Sequence, residues 1–322
     1  MARRPEAQHL AKQVTMRQLE IFLTVAELGG VVQAAEKLHL SQPSVSIQLR
    51  KLTETLGLPL YEIVGRQLTL TEAGHRMQDT CREVLDTFDR LDCDINDLKG
   101  LRAGRLRLAV DPSAKYFLPQ LLGPFMAQYP GIDVDFVEGK RSDLLERLNE
   151  DRDDLYIFNH LPTGLDINHF PFLPNPLVVV ANKEHALAKK KQLGLSQLSE
   201  ERMLLRGQGS GSRLALDEFL TAQNIKLNRT MELDSSEAIR LSVKAGIGVG
   251  VLSAYALVNA HTEGLVKLNV KGFPLTTHWH IIHRRQKKLS TVAASFLQFV
   301  LDEAEQHLPM EQIHARMQQA VH

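Results

Sequence analysis

The stretch Ser41-Gln42-Pro43-Ser44-Val45-Ser46-Ile47-Gln48-Leu49-Arg50-Lys51 gathers small polar groups and two cations into a short span. Gln42, Ser44, Ser46 and Gln48 each carry donors and acceptors, the chemistry that meets base edges in a DNA groove or the phosphates beside it. Pro43 offers the apolar contact a thymine methyl takes, and Arg50 and Lys51 stand where phosphates would pass. A second set of residues suits a small anion. In "DPSAKYFLP", Ser113, Ala114 and Lys115 follow a strand-like run and open a helix, where free backbone N–H groups favour negative charge. In "RGQGSGSR", Arg206 and Arg213 can pair with carboxylate or phosphate, and Gly209, Ser210, Gly211 and Ser212 let the backbone come close to a ligand. Ser235 and Ser236 begin a third helix in the same manner, and Asn159, His160 and Leu161 end another strand beside the same expected cleft.

Each of these signals has a plainer alternative. Ser113, Ser212 and Ser235 are also what a helix cap requires, and Arg213 also suits a surface ion pair. The glycine stretch lacks the spacing and the Gly-Lys-Ser/Thr ending of a P-loop, so ATP hydrolysis is not indicated. His278 and His280 share one side of a strand at a spacing able to chelate, but no Cys or acidic residue is near in sequence, and strand-face histidines are the expectation.

The elements that must hold these groups are legible in the spacing of apolar residues. Leu19, Phe22, Leu23 and Ala26 form one helical face that stops at Gly29-Gly30; Ala34, Ala35 and Leu38 mark a second, short helix. Ser41 caps a third, with Pro43 in its first turn and Val45, Leu49, Leu52 and Leu56 turned inward. Two short helices joined this tightly form a helix-turn-helix, whose second helix fits the major groove; an ordinary helical hairpin is the alternative. "LYEIV" and "QLTL" predict a hairpin with Arg66 near its tip, a wing able to reach a neighbouring groove. Met77, Cys81, Val84, Phe88, Leu91, Ile95 and Leu98 then alternate steps of four and three, the seam of a coiled coil that needs a second helix; Cys81 is a small apolar filler within it. From residue 105, strand-length runs alternate with helices over a stretch long enough for two lobes of an α/β region.

Length and composition agree. The chain has 322 residues, 43% hydrophobic and 24% charged, with a formal net charge of zero. Any nucleic-acid contact must therefore come from a local patch. Its 2 cysteines are too few for a disulfide framework or zinc ribbon. No apolar run reaches the ~18 residues of a membrane span and no secretory signal is present, so a cytoplasmic protein is expected.

"RQLEIFLTVAELGG", "AAEKLHLSQPSVSIQLRKL", "LGLPLYE" and "LTLTEAG" resemble, in order and spacing, the DNA-binding segment of the LysR-type transcriptional regulators. "AKYFLPQLL", "GSGSRLALDEF", "SSEAIRLSVKAGIGVGVLS" and "WHIIHRR" resemble the branch of that family regulating carbon dioxide fixation (ribulose bisphosphate carboxylase) operons. The resemblance implies a winged helix-turn-helix over residues 1–71, a linker and dimerisation helix over 72–103, and a two-lobed effector domain like periplasmic binding proteins over 104–322. In the last, lobe I takes about 104–180 and 281–307, lobe II about 181–280, and a tail 308–322 follows, either a short extra helix or disordered. It further implies homodimers or homotetramers, promoter DNA and possible RNA polymerase as partners, and base-facing positions for Gln42, Pro43, Ser46 and Ile47, with Arg66 on the wing. Ile47 replaces the long basic or flexible residue of many relatives, and Val31-Val32 a small-polar and aromatic pair. No cofactor is implied; the expected effector is an anionic metabolite such as a sugar phosphate, phosphoenolpyruvate or NADPH. The rival of a different class, a two-lobed binding protein or enzyme without a DNA role, leaves the first hundred residues without purpose and finds no nucleophile–base set.

Overall fold

A computed structural model describes residues 10, 12–64, 67–98, 103–258, 262–311 and 313. The chain divides into two compact units, Met1–Asp92 and Cys93–His322.

The first unit is built on three helices. Helix α1 (Met16–Leu28) starts in a capping box: Thr15 accepts from the Gln18 N–H while the Gln18 side chain accepts from the Thr15 N–H. It buries Leu19, Ile21, Phe22 and Val25; Leu23 and Ala26, expected on this face, are only half-buried. Gly29 ends it in the left-handed conformation. Helix α2 (Val31–Lys37) presses Ala34 and Ala35 into the crossing, where only small side chains let two helix axes come close. Helix α3 (Gln42–Leu56) is capped by Ser41, carries Pro43 in its first turn and buries Val45, Leu49 and Leu52.

Strands β1 (Tyr61–Val64) and β2 (Gln67–Leu70) pair antiparallel. Arg66 lies outside the described residues. Helix α4 (Glu72–Leu98) follows, with Thr71 accepting from the Gly74 N–H. Gly74 is required here: a Cβ would stand 1.9 Å from the Leu60 carbonyl oxygen. The apolar seam of α4 serves two purposes. Met77, Cys81 and Val84 join the core under the helix-turn-helix, so this half needs no second helix. Phe88, Leu91 and Ile95 are 54, 50 and 38% exposed, and the Leu98 side chain lies outside the described residues. Burial pushes the Cys81 thiol up to about 12, consistent with an inert filler.

The second unit is one mixed sheet in strand order β4-β3-β5-β11-β6-β9-β7-β8, with β10 (Leu265–Lys267) paired to β6. Strands β3 (Ala103–Val110), β4 (Gly131–Glu138) and β5 (Leu155–Phe158) run parallel, as do β7 (Arg202–Arg206), β8 (Arg229–Leu233) and β9 (Val249–Ser253). Two long strands join the halves: β6 (Ile167–Asn182) and β11 (Leu275–Arg284), antiparallel over ten register pairs. The first lobe packs helix α5 (Leu118–Gln128) and α10 (Thr291–Glu303) on one face, and α6 (Arg141–Asn149) on the other. The second packs α8 (Gly211–Ala222), with the short α7 (Leu195–Ser199), opposite α9 (Ser236–Lys244). Leu308, Met310 and Ile313 lie against the first lobe's core, so the beginning of the expected tail belongs to that lobe; 314–322 lie outside the described residues.

The spacing "PLVVVA" predicts a strand over 176–181; the observed β6 begins nine residues earlier, at Ile167. Pro171, Pro174 and Pro176 argue against a strand interior. A register shift between Trp279 and His280 of β11 interrupts the ladder beside Pro171 and Leu173.

Candidate DNA-reading face and effector cleft

On α3 the N-terminal residues Ser41, Gln42, Pro43 and Ser44 are exposed, Ser46 and Gln48 are half-buried, and Ile47, Arg50 and Lys51 are exposed. The Ser41 hydroxyl accepts from the Ser44 N–H and lies 2.8 Å from the Ser44 hydroxyl, so those two groups begin by holding the helix start. The structure thus places these residues along one helix whose opposite side is pinned in the core by Val45, Leu49 and Leu52.

In the second unit, the segments after β3 and β8 bring Ser113 and Ser236 to Arg206 at the end of β7, with Asp111 nearby; Asn159 follows β5 and lies against the start of α8. Arg206 ends β7 and is 9% exposed; its Nη1 donates to the Ser113 hydroxyl of one lobe and the Ser236 hydroxyl of the other, each at 3.3 Å. Its Nε is buried without a hydrogen-bond partner. Among the described residues no carboxylate forms an ion pair with it. The nearby Asp111 carboxyl accepts from the Ser113 N–H at 2.9 Å. Burial pushes that carboxyl up, against the pull of Ser113, Arg206 and Arg141, which favours its neutral form. A buried guanidinium with an unsatisfied Nε and no ion-pair partner among the described residues suits an anion from outside. Both serine hydroxyls accept from Arg206; the Ser113 hydroxyl also engages the Asp111 carboxyl, which leaves the Ser236 hydroxyl proton to donate to such a ligand.

Asn159 is buried, with Oδ1 unpaired. It lies against the start of α8: a Cβ on Gly211 would stand 1.6 Å from Asn159 Oδ1 and 3.0 Å from His160 Cβ. The close approach allowed by Gly211 is therefore to the opposite lobe. His160 Nε2 meets Glu218 Oε1 of α8 at 3.0 Å, a second link between lobes. Arg141, at the start of α6, donates to the His160 carbonyl oxygen at 2.6 Å.

Other expected members have structural partners. Lys115 lies 3.9 Å from Glu138, with its amine over the Tyr116 ring. Arg213 is held by Asp217, Glu232 and the Arg206 carbonyl oxygen. Ser210 and Ser235 cap α8 and α9 by accepting from the Arg213 and Ala238 N–H groups. Ala114 lies in the core, Leu161 packs beside α6, Ser212 is half-buried, and Gly209 takes a left-handed turn. Asp111 and Arg141 escaped the sequence reading; the first had a signal, as the acidic residue opening "DPSAKYFLP".

His278 is exposed and His280 half-buried, their ring centroids 6.4 Å apart, while His169 of β6 lies 5.9 Å from His280. His283 is buried instead, stacked on Phe170 and bonded to the Arg284 carbonyl oxygen. Burial, then His169, His278 and His160, hold His280 down to about 4. The native state thus takes up this proton later than the unfolded chain. Stability should fall as pH drops from the ordinary 6.5 toward about 4. We expect His280→Gln to remove about 1 kcal/mol of that loss after solvent screening, read from urea midpoints at about pH 7 and about pH 5.

A winged helix-turn-helix and a two-lobed α/β unit with an anion-suited cleft define a DNA-binding regulator that answers to a small molecule. Residues 16–75 match the family described as "Bacterial regulatory helix-turn-helix protein, lysR family", and residues 99–305 match "LysR substrate binding domain". The chain is 45% identical to the HTH-type transcriptional activator CmpR of Synechocystis sp., over 91% of this chain and 97% of that protein. It is 37% identical to the RuBisCO operon transcriptional regulator of Acidithiobacillus ferrooxidans, over 90% and 94%. The solved regulatory domain of Synechocystis PCC6803 CcmR, in complex with 2-PG, superposes with a TM-score of 0.59 at 37% identity, covering 62% of this chain and 97% of that one. The chain belongs to the LysR family of transcriptional regulators.

Proposed function

We propose that this chain regulates a carbon dioxide fixation operon and that its effector is a small phosphorylated anion bound between the lobes. The observation that carries the effector reading is Arg206: a buried cation, shared by one hydroxyl from each lobe and unmatched by a carboxylate among the described residues. Ser113, Ser236, Asn159 and Arg141 complete the site. The CcmR domain bound to 2-phosphoglycolate supports the class of ligand, and the relatives named for activation and for the RuBisCO operon support the class of target. Phosphoenolpyruvate, a sugar phosphate and NADPH are the competing effectors.

The regulator acts in the cytoplasm as a homodimer or homotetramer, reads promoter DNA through α3 and the wing, and signals to RNA polymerase. No helix among the described residues is long and apolar enough to cross a membrane. An anion that grips both lobes favours whichever arrangement of the assembly closes the cleft, and shifts the equilibrium by its difference in affinity for the two arrangements.

The test is footprinting on DNA upstream of carbon-fixation genes, titrated with each of the four anions. The only tryptophan, Trp279, has its ring centroid 4.9 Å from that of Phe117, which follows the turn that carries Ser113, so a change in its fluorescence on titration serves as a binding readout. Specific binding that weakens with salt and changes with one anion supports the reading. A response confined to uncharged ligands rejects the anionic effector. For DNA readout, Gln42→Ala should lose about 1–3 kcal/mol of discrimination between the operator and a single-base variant if Gln42 makes a bidentate base contact. Unchanged selectivity in competition gel shifts removes Gln42 from the reading set.

A further inference from the structure

The outermost side chains of the reading helix are apolar. At about 100° per residue, Val45, Leu49 and Leu52 occupy an arc of about 60°, which is the side held in the core. Measured from the middle of that arc, Pro43 lies at about 150° and Ile47 at about 170°, one helical turn apart and almost opposite the core. Gln42 and Gln48, the residues whose chemistry suggests base readout, sit only about 50° and about 70° from the buried centre, and Gln48 is half-buried. Arg50 and Lys51 flank Ile47 on its two sides, about 60° and about 40° away, and both are exposed. Ile47 itself is 50% exposed.

A single exposed aliphatic residue is ordinary on a protein surface. A ridge of two, centred between cations on the face of a helix shaped for the major groove, is a different matter. In a major groove this face would set the cations toward the two phosphate walls and the ridge toward the groove floor. The one apolar group a base pair shows there is the C5-methyl of thymine. Ile47 is β-branched, so its χ1 is set by the helix before DNA arrives and little side-chain entropy is lost on contact.

We infer that Ile47, backed by Pro43, selects a thymine in each half-site by burying its C5-methyl group. The inference rests on the regulator reading proposed above and names the group that α3 recognises. The methyl is worth about fourfold in affinity, the transfer of one buried carbon at about 0.8 kcal/mol.

The experiment uses the full chain and a duplex taken from its own footprint, in which each thymine in turn is replaced by deoxyuracil. This deletes the methyl and leaves every hydrogen-bonding edge unchanged. Wild-type protein should lose about fourfold at one thymine per half-site. Ile47→Ala should bind the thymine duplex as weakly as wild type binds the uracil one, and should no longer distinguish the two. Since Ile47 is exposed, its replacement leaves the core of the first unit intact, and the uracil scan on wild-type protein needs no variant at all. A scan with no methyl-sensitive position overturns the proposal while leaving the regulator reading in place. So does a sensitive position that Ile47→Ala still discriminates in full. A chain with no specific duplex overturns both.

Discussion

Arg206→Met should lower anion affinity by about 10- to 100-fold or more while leaving DNA binding in the absence of effector unchanged. The charge-assisted hydrogen bonds a guanidinium makes to a phosphate are each worth about 1.5–3 kcal/mol, and methionine keeps much of the length while making none. The reading helix lies in the other compact unit, so basal operator binding has no reason to move. The accompanying stability change has an unusual sign. Arg206 is buried with Nε unpaired and has no carboxylate in ion-pair contact among the described residues. Removing such a charge relieves a desolvation penalty, so thermal melting of the effector-free protein should stay level or rise. Loss of anion binding with a raised or unchanged Tm identifies a ligand-binding arginine. Loss of both together identifies a structural one and would reject the proposed site. Arg206→Lys should recover only part of the affinity, because an ammonium cannot bridge two serines and a phosphate with the same fixed fork.

The second large effect concerns the C-terminal half of α4. Phe88, Leu91 and Ile95 repeat at steps of three and four and remain exposed, whereas Met77, Cys81 and Val84 on the same seam are taken up by the chain's own helix-turn-helix. Burying an aliphatic or aromatic side chain is worth about 1.5–3 kcal/mol, so three of them on each of two helices supply enough to hold a pair of chains together. Phe88→Asp with Leu91→Asp should convert the protein to smaller species in analytical ultracentrifugation and reduce operator affinity by about 10²- to 10⁴-fold, the avidity of two linked readers. The fold of each unit should survive, since neither residue belongs to a core. An unchanged sedimentation coefficient would mean that dimerisation runs through some other surface.

The reading surface and the cleft differed in how far residue order alone could define them. The helix-turn-helix was legible because local rules dictate it: Ser41 as cap, Pro43 in the first turn, Ala34 and Ala35 at the crossing and Gly29 at a helix end are all short-range requirements. The cleft was legible only in part. Ser113, Arg206 and Ser236 are far apart in the chain but meet through Arg206, while Arg213 and Lys115, equally plausible by type, are taken up by Asp217, Glu232 and Glu138. Charge type says that an arginine can bind an anion; only the neighbours say whether a carboxylate already has it.

Residue order by itself determined where the three helices of the first unit start and stop, which side of α3 enters the core, and that a DNA-reading module precedes an α/β region. These follow from capping chemistry and apolar periodicity, which act over a few residues. Tertiary structure decided the rest: that β6 runs through its prolines into a paired sheet, that half of the α4 seam is satisfied within its own chain, and that one arginine links the two lobes. Those outcomes depend on which distant groups compete for the same burial and the same hydrogen bonds, and that competition is settled only when the chain is folded.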